Sequence, residues 1–279
     1  MFQNLKKIGV KTLTLVSVLI AIVASGNVAA DDSQRLQQIL AGEHRSEANK
    51  ARDSMRHPKE TLEFFGLESD MTLIEILPGG GWYAEILAPF MKDTGTYYAA
   101  HFSPNSHLAY QPPMLQRFAD RVGADPEIYG GTIITNLYPP AETEIAPPGS
   151  ADMALTFRNV HNWIMAGTQH EHFAAFYKAL KPGGIFGVVE HRAKPGSAME
   201  VMETTGYVTQ DYVIELAIQA GFEFVASSEI NANPKDVKEY PEGVWTLPPN
   251  LRLGEQDKDK YLAIGESDRM TLKFVKPAN

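Results

Sequence analysis

Along most of the chain, short apolar runs alternate with segments in which apolar residues recur every three or four positions. The runs predict buried strands, and the periodic segments predict helices. The predicted strands are 71–77, 96–100, 129–135, 152–157, 185–190, 222–230 and 270–275. The predicted helices among them are 82–91, 107–121, 169–180 and 209–220. This alternation, with short glycine turns, predicts an α/β fold in which helices cover both faces of a parallel sheet.

Two segments lie outside this alternation. Residues 31–66 are polar with a helical pattern and are predicted to form an N-terminal helical extension of a main domain at 67–279. Residues 231–268 separate the last two strands and contain four prolines. They are too long for a plain connection, so they form either a lid over a ligand cleft or a packed surface excursion.

A basic stretch lies within the N-terminal extension. Its members are Arg45, Lys50, Arg52, Arg56 and His57. One interpretation is a solvated helix face, because charged side chains are usually exposed. The other is a group of cations that receives an anionic substrate or a carboxylate.

The first thirty residues have the pattern of a secretory signal. Three lysines precede an apolar run at 13–24, and small residues at 28–30 end the segment before Asp31. The run is short for a bilayer span and has the length of a signal-peptide core. Residues 1–30 are therefore predicted to be a removed signal peptide, with an uncleaved anchor as the alternative, and the protein is predicted to be periplasmic or secreted.

Composition excludes several classes of function. The net charge of −9 gives no electrostatic footprint for nucleic acid. The absence of cysteine excludes disulfides, a catalytic thiol and thiolate-bound metal. No membrane contact is expected after signal removal, and the predicted partner is a small-molecule substrate. The sequence leaves the oligomeric state open.

The most informative stretch runs from Glu75 to Tyr83 and contains Gly79, Gly80 and Gly81. A strand that ends in consecutive glycines and leads into a helix brings free backbone N–H groups close to an anionic ligand. The plain alternative is a tight turn between strand and helix. Gly79, Gly81 and Ala84 also fit a dinucleotide-binding fingerprint, which expects an acid where this chain has His101.

A second polar cluster, at 157–163, follows the fourth strand. His161 is the candidate general base, and its alternative is a histidine that caps the next helix. His191 follows the fifth strand and is predicted to point toward the same crevice. A metal site is not expected, because His170 and His172 face different directions on a helix and no acids stand at matching spacing.

Together these stretches resemble class I S-adenosylmethionine-dependent methyltransferases. The segment 75–81 resembles their acidic, glycine-rich first motif, 152–161 their fourth-strand motif, and 180–184 their turn before the fifth strand. The whole chain is similar to a group of exported bacterial methyltransferases. The resemblance implies a Rossmann-like, seven-stranded sheet whose last strand is antiparallel, with an insertion before that strand.

The resemblance also implies S-adenosylmethionine as the cofactor and a set of residues that bind it. The implied cofactor-binding residues are Glu75, Gly79, Gly80, Gly81, His101, Phe102, Asn136 and Arg158. His101 stands at the position of the acid that binds the ribose, and Leu77 at the first glycine of the motif. The expected substrate-side residues are Tyr83, Arg158, Trp163 and His191, with His161 as the catalytic base.

The sequence leaves three functions open. The first is methyl transfer from S-adenosylmethionine to a small molecule outside the cytoplasm. The second is a non-catalytic ligand-binding protein with the same fold, which the substitutions at Leu77 and His101 favour. The third is a nicotinamide-dependent oxidoreductase, and the turn at 180–184 argues against it.

Overall fold

All seven predicted strands belong to one sheet. The computed structural model describes residues 31–278 and places the strands in the order β3-β2-β1-β4-β5-β7-β6. The strands β1 to β5 are parallel to one another, and β7 is antiparallel to both β5 and β6. This confirms the predicted seven-stranded, Rossmann-like sheet. The predicted signal peptide at 1–30 lies outside the described residues.

The elements follow the predicted alternation. The strands are β1 (Thr72–Ile76), β2 (Thr96–His101), β3 (Thr132–Asn136), β4 (Ala151–Phe157), β5 (Leu180–His191), β6 (Glu223–Ser228) and β7 (Arg269–Val275). The helices are α1 (31–41), α2 (Glu47–Lys50), α3 (Asp53–Arg56), α4 (Pro58–Phe65), α5 (Ala84–Met91), α6 (Gln111–Ala124), α7 (Pro126–Tyr129), α8 (Val160–Ala166), α9 (Gln169–Ala179), α10 (Met199–Thr205), α11 (Gln210–Gln219) and α12 (Lys258–Ile264). Among residues 31–278, no helix is both long and apolar enough to span a bilayer.

Two strands begin three or more residues away from their predicted starts. The third strand begins at Thr132, because Tyr129 ends the short helix α7, whose first turn is capped by the Asp125 side chain. The strand β5 begins at Leu180, because Leu180 already pairs with Ala151 before the turn that was predicted at 181–184.

The core has two layers, one on each face of the sheet. Ile74 and Ile76 point into a cluster with α8, α9 and α11, while Leu73 on the alternate positions of β1 points into a cluster with α4 and α5. Successive side chains of β1 therefore point alternately into the two layers of the core. Leu36, Leu62 and Phe65 of the N-terminal extension belong to the second cluster, so the extension covers one face of the sheet.

The segment 231–268 returns to the carboxyl edge of the parallel strands. It contains a short 3₁₀ helix at Gly243–Thr246 and the helix α12. Val244 packs with Ala193 and Tyr207, which follow β5. The N-terminal extension meets the same region, because Thr61 and Thr271 both bind the buried amide of Asn231. Two segments far apart in the sequence thus border the carboxyl edge of the sheet.

Candidate active site

A cleft of about 820 Å³ opens at the carboxyl ends of β1, β2 and β4. In open α/β sheets ligands bind at this edge. The glycine turn supplies Gly79 and Gly80 to the wall, and Phe102 follows β2. His161 and His191 line the other part of the cleft, together with Trp245 from the segment 231–268. This segment therefore contributes directly to the wall of the cleft.

The glycine turn leaves room for a ligand beside its backbone. A Cβ added at Gly79 or Gly80 meets no atom within 4 Å, and Gly79 has a φ of 59°. Leu77, which replaces the first glycine of the motif, also adopts a left-handed φ of 50°. Such a conformation costs an ordinary residue about 1–2 kcal/mol. Strain of this kind is concentrated at functional sites.

His101 is not available for a ligand, contrary to its predicted role at the ribose. Its Nδ1 accepts the Phe102 N–H at 2.8 Å, so the proton resides on Nε2, which donates to the Gly79 carbonyl at 3.1 Å. The side chain is fully buried and does not line the cleft. Burial lowers the pKa of His101, although the Gly79 bond opposes this. The imidazole therefore holds the glycine turn in place.

Glu75, like His101, is buried beneath the glycine turn. Its carboxyl is buried and accepts a hydrogen bond from the Tyr97 hydroxyl on the neighbouring strand β2. Burial raises the pKa of Glu75 to about 8, and the Tyr97 bond partly offsets that effect. Glu75 does not line the cleft, so any part it has in cofactor binding is through the packing beneath the turn.

A second, mainly apolar cavity of about 550 Å³ adjoins the cleft beside Phe102. Leu137 and Tyr138 line it, whereas Asn136, predicted to lie near the adenine, lines neither cavity. Trp163 belongs to this second cavity and stacks on His172, with ring centroids 4.6 Å apart. The structure therefore separates Trp163 from the cleft wall that contains His161.

Tyr83, predicted as a substrate contact, packs beneath the cleft instead. Its ring stacks on Phe157 with centroids 3.5 Å apart, and only 6% of the residue is exposed. Burial raises the pKa of its hydroxyl above the usual range. Tyr83 is thus a buried support for the end of β4.

His161 and Glu190 form a hydrogen-bonded dyad. His161 Nδ1 donates to Glu190 Oε1 at 3.0 Å, and a carboxylate can only accept, so the lone pair of His161 lies on Nε2. Glu190 is fully buried at the end of β5 and also accepts from the backbone N–H groups of His161 and His191. This arrangement fixes the ring orientation and the tautomer that a general base requires.

His191 stands next to the dyad. Its ring centroid lies 5.2 Å from that of His161, and its Nδ1 is hydrogen-bonded to the Ser267 hydroxyl. Burial and the neighbouring cations lower the pKa of His191 well below its ordinary value, so the ring is neutral. His161, Glu190 and His191 could each offer one metal ligand within 4.8 Å of the others. The three hydrogen bonds already made by Glu190 favour the dyad over a metal centre.

Four arginines surround the carboxylate of Glu266. Arg52 and Arg56 come from the N-terminal extension, Arg158 follows β4, and Arg269 begins β7. Burial alone would raise the pKa of Glu266, but these cations lower it to about 2. Arg52, Arg56 and Arg158 line the cleft.

Some of these residues were not identified from the sequence. Glu190 is the last residue of the predicted strand 185–190, but no role was predicted for it. Glu266 lies in the segment 231–268, where no site residue was predicted. The basic stretch at 45–57 did indicate part of the site, because two of its five residues, Arg52 and Arg56, line the cleft. Arg45 does not line the cleft, and its Nη1 forms an ion pair with Asp53 Oδ2 at 2.6 Å.

Comparison with known proteins identifies the fold. No family model matches the chain, and no curated protein matches it in sequence. Among solved structures, it is similar to a SAM-dependent methyltransferase from Aquifex aeolicus, with 13% identity and a TM-score of 0.53. That match covers 81% of this chain and 93% of the other.

Two further structures share the fold. Phosphoethanolamine N-methyltransferase 2 from Haemonchus contortus, in complex with S-adenosyl-L-methionine, has 15% identity and a TM-score of 0.52 over 80% of this chain and 52% of that one. The [4+2]-cyclase SpnF has 17% identity and a TM-score of 0.52 over 85% and 86%. The class I methyltransferase fold is therefore shown. Since one of these proteins is a cyclase, the fold alone does not identify the reaction.

Proposed function

We propose that this protein transfers a methyl group from S-adenosylmethionine to a small molecule outside the cytoplasm. The observation that carries the proposal is the single cleft shared by the open glycine turn and the Glu190–His161 dyad. A cofactor cradle and a base thus face the same space, as a group transfer with proton removal requires.

The cleft has a side that fits the cofactor. The space beside Gly79 and Gly80 accommodates the methionine part, and the apolar cavity beside Phe102 and Leu137 fits a purine ring. The side chain of Asn159 is fixed by bonds to the Ile76 carbonyl and the Thr156 hydroxyl, so it shapes this side of the cleft. The sequence position of the acid that binds the ribose is occupied by the buried His101, so that position provides no carboxylate.

The protein's own contribution is alignment and proton removal. S-adenosylmethionine supplies a methyl group that its sulfonium has already activated. Glu190 holds His161 with the lone pair on Nε2, where it can take a proton from the acceptor atom. Trp245 meets the edge of the His161 ring at a centroid distance of 6.0 Å and helps to enclose the acceptor side. General-base catalysis of this kind contributes roughly 10²–10⁴-fold to a rate.

The proposal that the protein acts outside the cytoplasm rests on the N-terminal sequence. The lysines, the apolar run at 13–24 and the small residues at 28–30 support export. The mass of the protein isolated from a periplasmic fraction tests this. We expect the mature N-terminus at Asp31, and a chain that retains residue 1 in the cytoplasmic fraction would refute export.

A ligand-binding protein without methyl transfer is the second candidate. The engagement of both His101 nitrogens favours it, because the ribose loses its usual acidic partner. An oxidoreductase is disfavoured by the sheet, since β7 is antiparallel and lies between β5 and β6, unlike the order of dinucleotide-binding folds.

Thermal unfolding in the presence of three ligands separates these candidates. A ligand that binds only the folded state stabilises it by about 2.7 kcal/mol at a hundred times its dissociation constant. We expect S-adenosylmethionine and S-adenosylhomocysteine to raise the melting temperature and NAD⁺ to have no effect. Stabilisation by NAD⁺ alone would favour the oxidoreductase, and stabilisation by none would favour another ligand.

A further inference from the structure

The four arginines around Glu266 carry more positive charge than the carboxylate neutralises. Arg52 Nε contacts Glu266 Oε1 at 2.7 Å, and Arg56 Nε contacts Oε2 at 3.0 Å. Arg269 Nη1 contacts Oε2 at 3.1 Å, and its other nitrogens bind backbone carbonyls. One buried carboxylate thus faces four guanidinium groups.

Three of these arginines line the cleft and have guanidinium donors without a hydrogen-bond partner among the described residues. Arg52 Nη2 and Arg56 Nη2 are buried and have no hydrogen-bond partner within residues 31–278. The Arg158 side chain makes no hydrogen bond or ion pair within that same range, and its backbone adopts a left-handed φ of 61°. Arg56 is only 3% exposed. A buried charged donor without a partner is costly.

Like charges in this cluster oppose one another. Burial and the cation of Arg158 lower the pKa of Arg56 to about 9, and burial lowers the pKa of Arg158 as well. An anionic ligand would supply negative charge that reduces this repulsion. Planar guanidinium groups with paired N–H donors match carboxylate and phosphate oxygens.

The cluster adjoins the acceptor side of the cleft. Arg158 and Arg56 both act electrostatically on His191, which stands beside His161. Ser267 and His191 are hydrogen-bonded to each other at the same wall. An anionic group held by the arginines would therefore lie close to the dyad.

We propose that the methyl acceptor is a small anionic molecule whose carboxylate or phosphate group is bound by Arg52, Arg56 and Arg158. This inference rests on the proposed function and specifies its substrate class. The bound anion orients the acceptor so that its nucleophilic O–H or N–H faces His161. The proton passes to His161 Nε2 while the acceptor–carbon bond forms, the sulfur–carbon bond breaks, and the sulfonium becomes a neutral thioether.

Phosphate and acetate are the probes for this site, titrated by calorimetry into the purified protein at constant ionic strength. We expect at least one of them to bind with a millimolar dissociation constant. Arg158→Gln should weaken that binding at least tenfold, because a charge-assisted hydrogen bond contributes about 1.5–3 kcal/mol. Arg117→Gln, which removes the same charge from an exposed helical position, should leave it unchanged.

The thermal stability of the variant separates anion binding from a structural role. Without added anion, Arg158→Gln should melt at the same temperature as the wild type or higher, because like-charge repulsion is relieved. It should also lose the stabilisation that phosphate or acetate gives the wild type. Arg52→Gln serves as a second variant, since its side chain is 22% exposed and easier to replace. A variant destabilised equally with and without anion would overturn the proposal.

Repeating the titration with saturating S-adenosylhomocysteine distinguishes the two sources of a carboxylate. If the acceptor's anion occupies the site, phosphate or acetate should bind with unchanged affinity. Competition would instead assign the arginines to the cofactor's carboxylate and overturn the proposal. Anion binding without any binding of S-adenosylhomocysteine would refute the proposed function while the anion site itself remained, and absence of anion binding would refute the site alone.

Discussion

At the scale of the residue, Glu75 places an ionisable group inside the core beneath the glycine turn. Its pKa is about 8 in the folded protein, compared with 4.5 for an ordinary glutamate, because burial disfavours the charged form. The folded state therefore binds more protons than the unfolded chain between these two values. The contribution of Glu75 to stability therefore falls as the pH rises from about 4.5 to about 8.

Glu75→Gln should remove this pH dependence. The amide oxygen can still accept the Tyr97 hydroxyl, while no charge needs to be buried. We expect the variant to exceed the wild type in stability at pH 9 by an amount on the order of a few kcal/mol, with little difference at pH 4.5. Urea denaturation at both pH values measures this, with the exposed Glu200→Gln as control. An equal difference at both values would contradict it.

Glu190→Gln should change the tautomer of His161 without changing the fold. In the wild type the carboxylate accepts from Nδ1, so the Nδ1–H form is expected. A glutamine amide can also donate to the ring, so a mixture of tautomers should appear in the variant. Nitrogen NMR of the imidazole measures the two forms. Finding the Nε2–H form in the wild type would refute the assignment of His161 as the base.

The sequence predicted some residue roles and could not predict others. The turn at 79–81 was predictable because consecutive glycines between an apolar run and a helical segment indicate a turn. That His101 is unable to bind a ligand was not predictable from the sequence. Both of its ring nitrogens are hydrogen-bonded to main-chain atoms, those of Phe102 and Gly79, and the sequence does not show these contacts. Glu190 was equally hidden, since only the packing of β4 beside β5 brings it to His161.

At the scale of the element, the segment that carries Trp245 depends on close backbone contact. Gly243 has a φ of 54°, and a Cβ there would lie 2.3 Å from the Thr205 carbonyl oxygen at the end of α10. Gly254 has a similar φ of 63°, yet a Cβ there meets nothing within 4 Å. The two glycines share a backbone conformation and differ in their surroundings.

Gly243→Ala should therefore destabilise the protein more than Gly254→Ala. The left-handed conformation costs about 1 kcal/mol at either position, and the clash with α10 adds about 2 kcal/mol at Gly243 alone. Denaturant unfolding of the two variants measures the difference. Equal losses of stability would show that α10 does not hold this segment in place.

Elements were predictable where periodicity was strong. The strands β1, β2 and β4 lie within two residues of their predicted ends, because each is an apolar run that ends at polar residues or glycine. The short helices α8, α10 and α12 were not predicted, since seven residues provide too little periodicity. Their positions depend on contacts with the rest of the fold.

At the scale of the whole molecule, the cleft is built from segments that are distant in the sequence. Arg56 and Glu266 are separated by 210 positions and meet beside the ends of the parallel strands. The sequence predicted the basic stretch and the segment 231–268 separately. Only the fold joins them on one wall, so the charge of the acceptor side could not be inferred from either one.

Calorimetric titration with S-adenosylhomocysteine tests the central claim most directly. The comparison is between the wild type and Gly80→Val, which fills the open space beside the glycine turn without a left-handed backbone. We predict a micromolar dissociation constant for the wild type and at least a hundredfold weaker binding for the variant, with both proteins folded. No binding to the wild type at millimolar ligand, or equal binding to both proteins, would contradict the account.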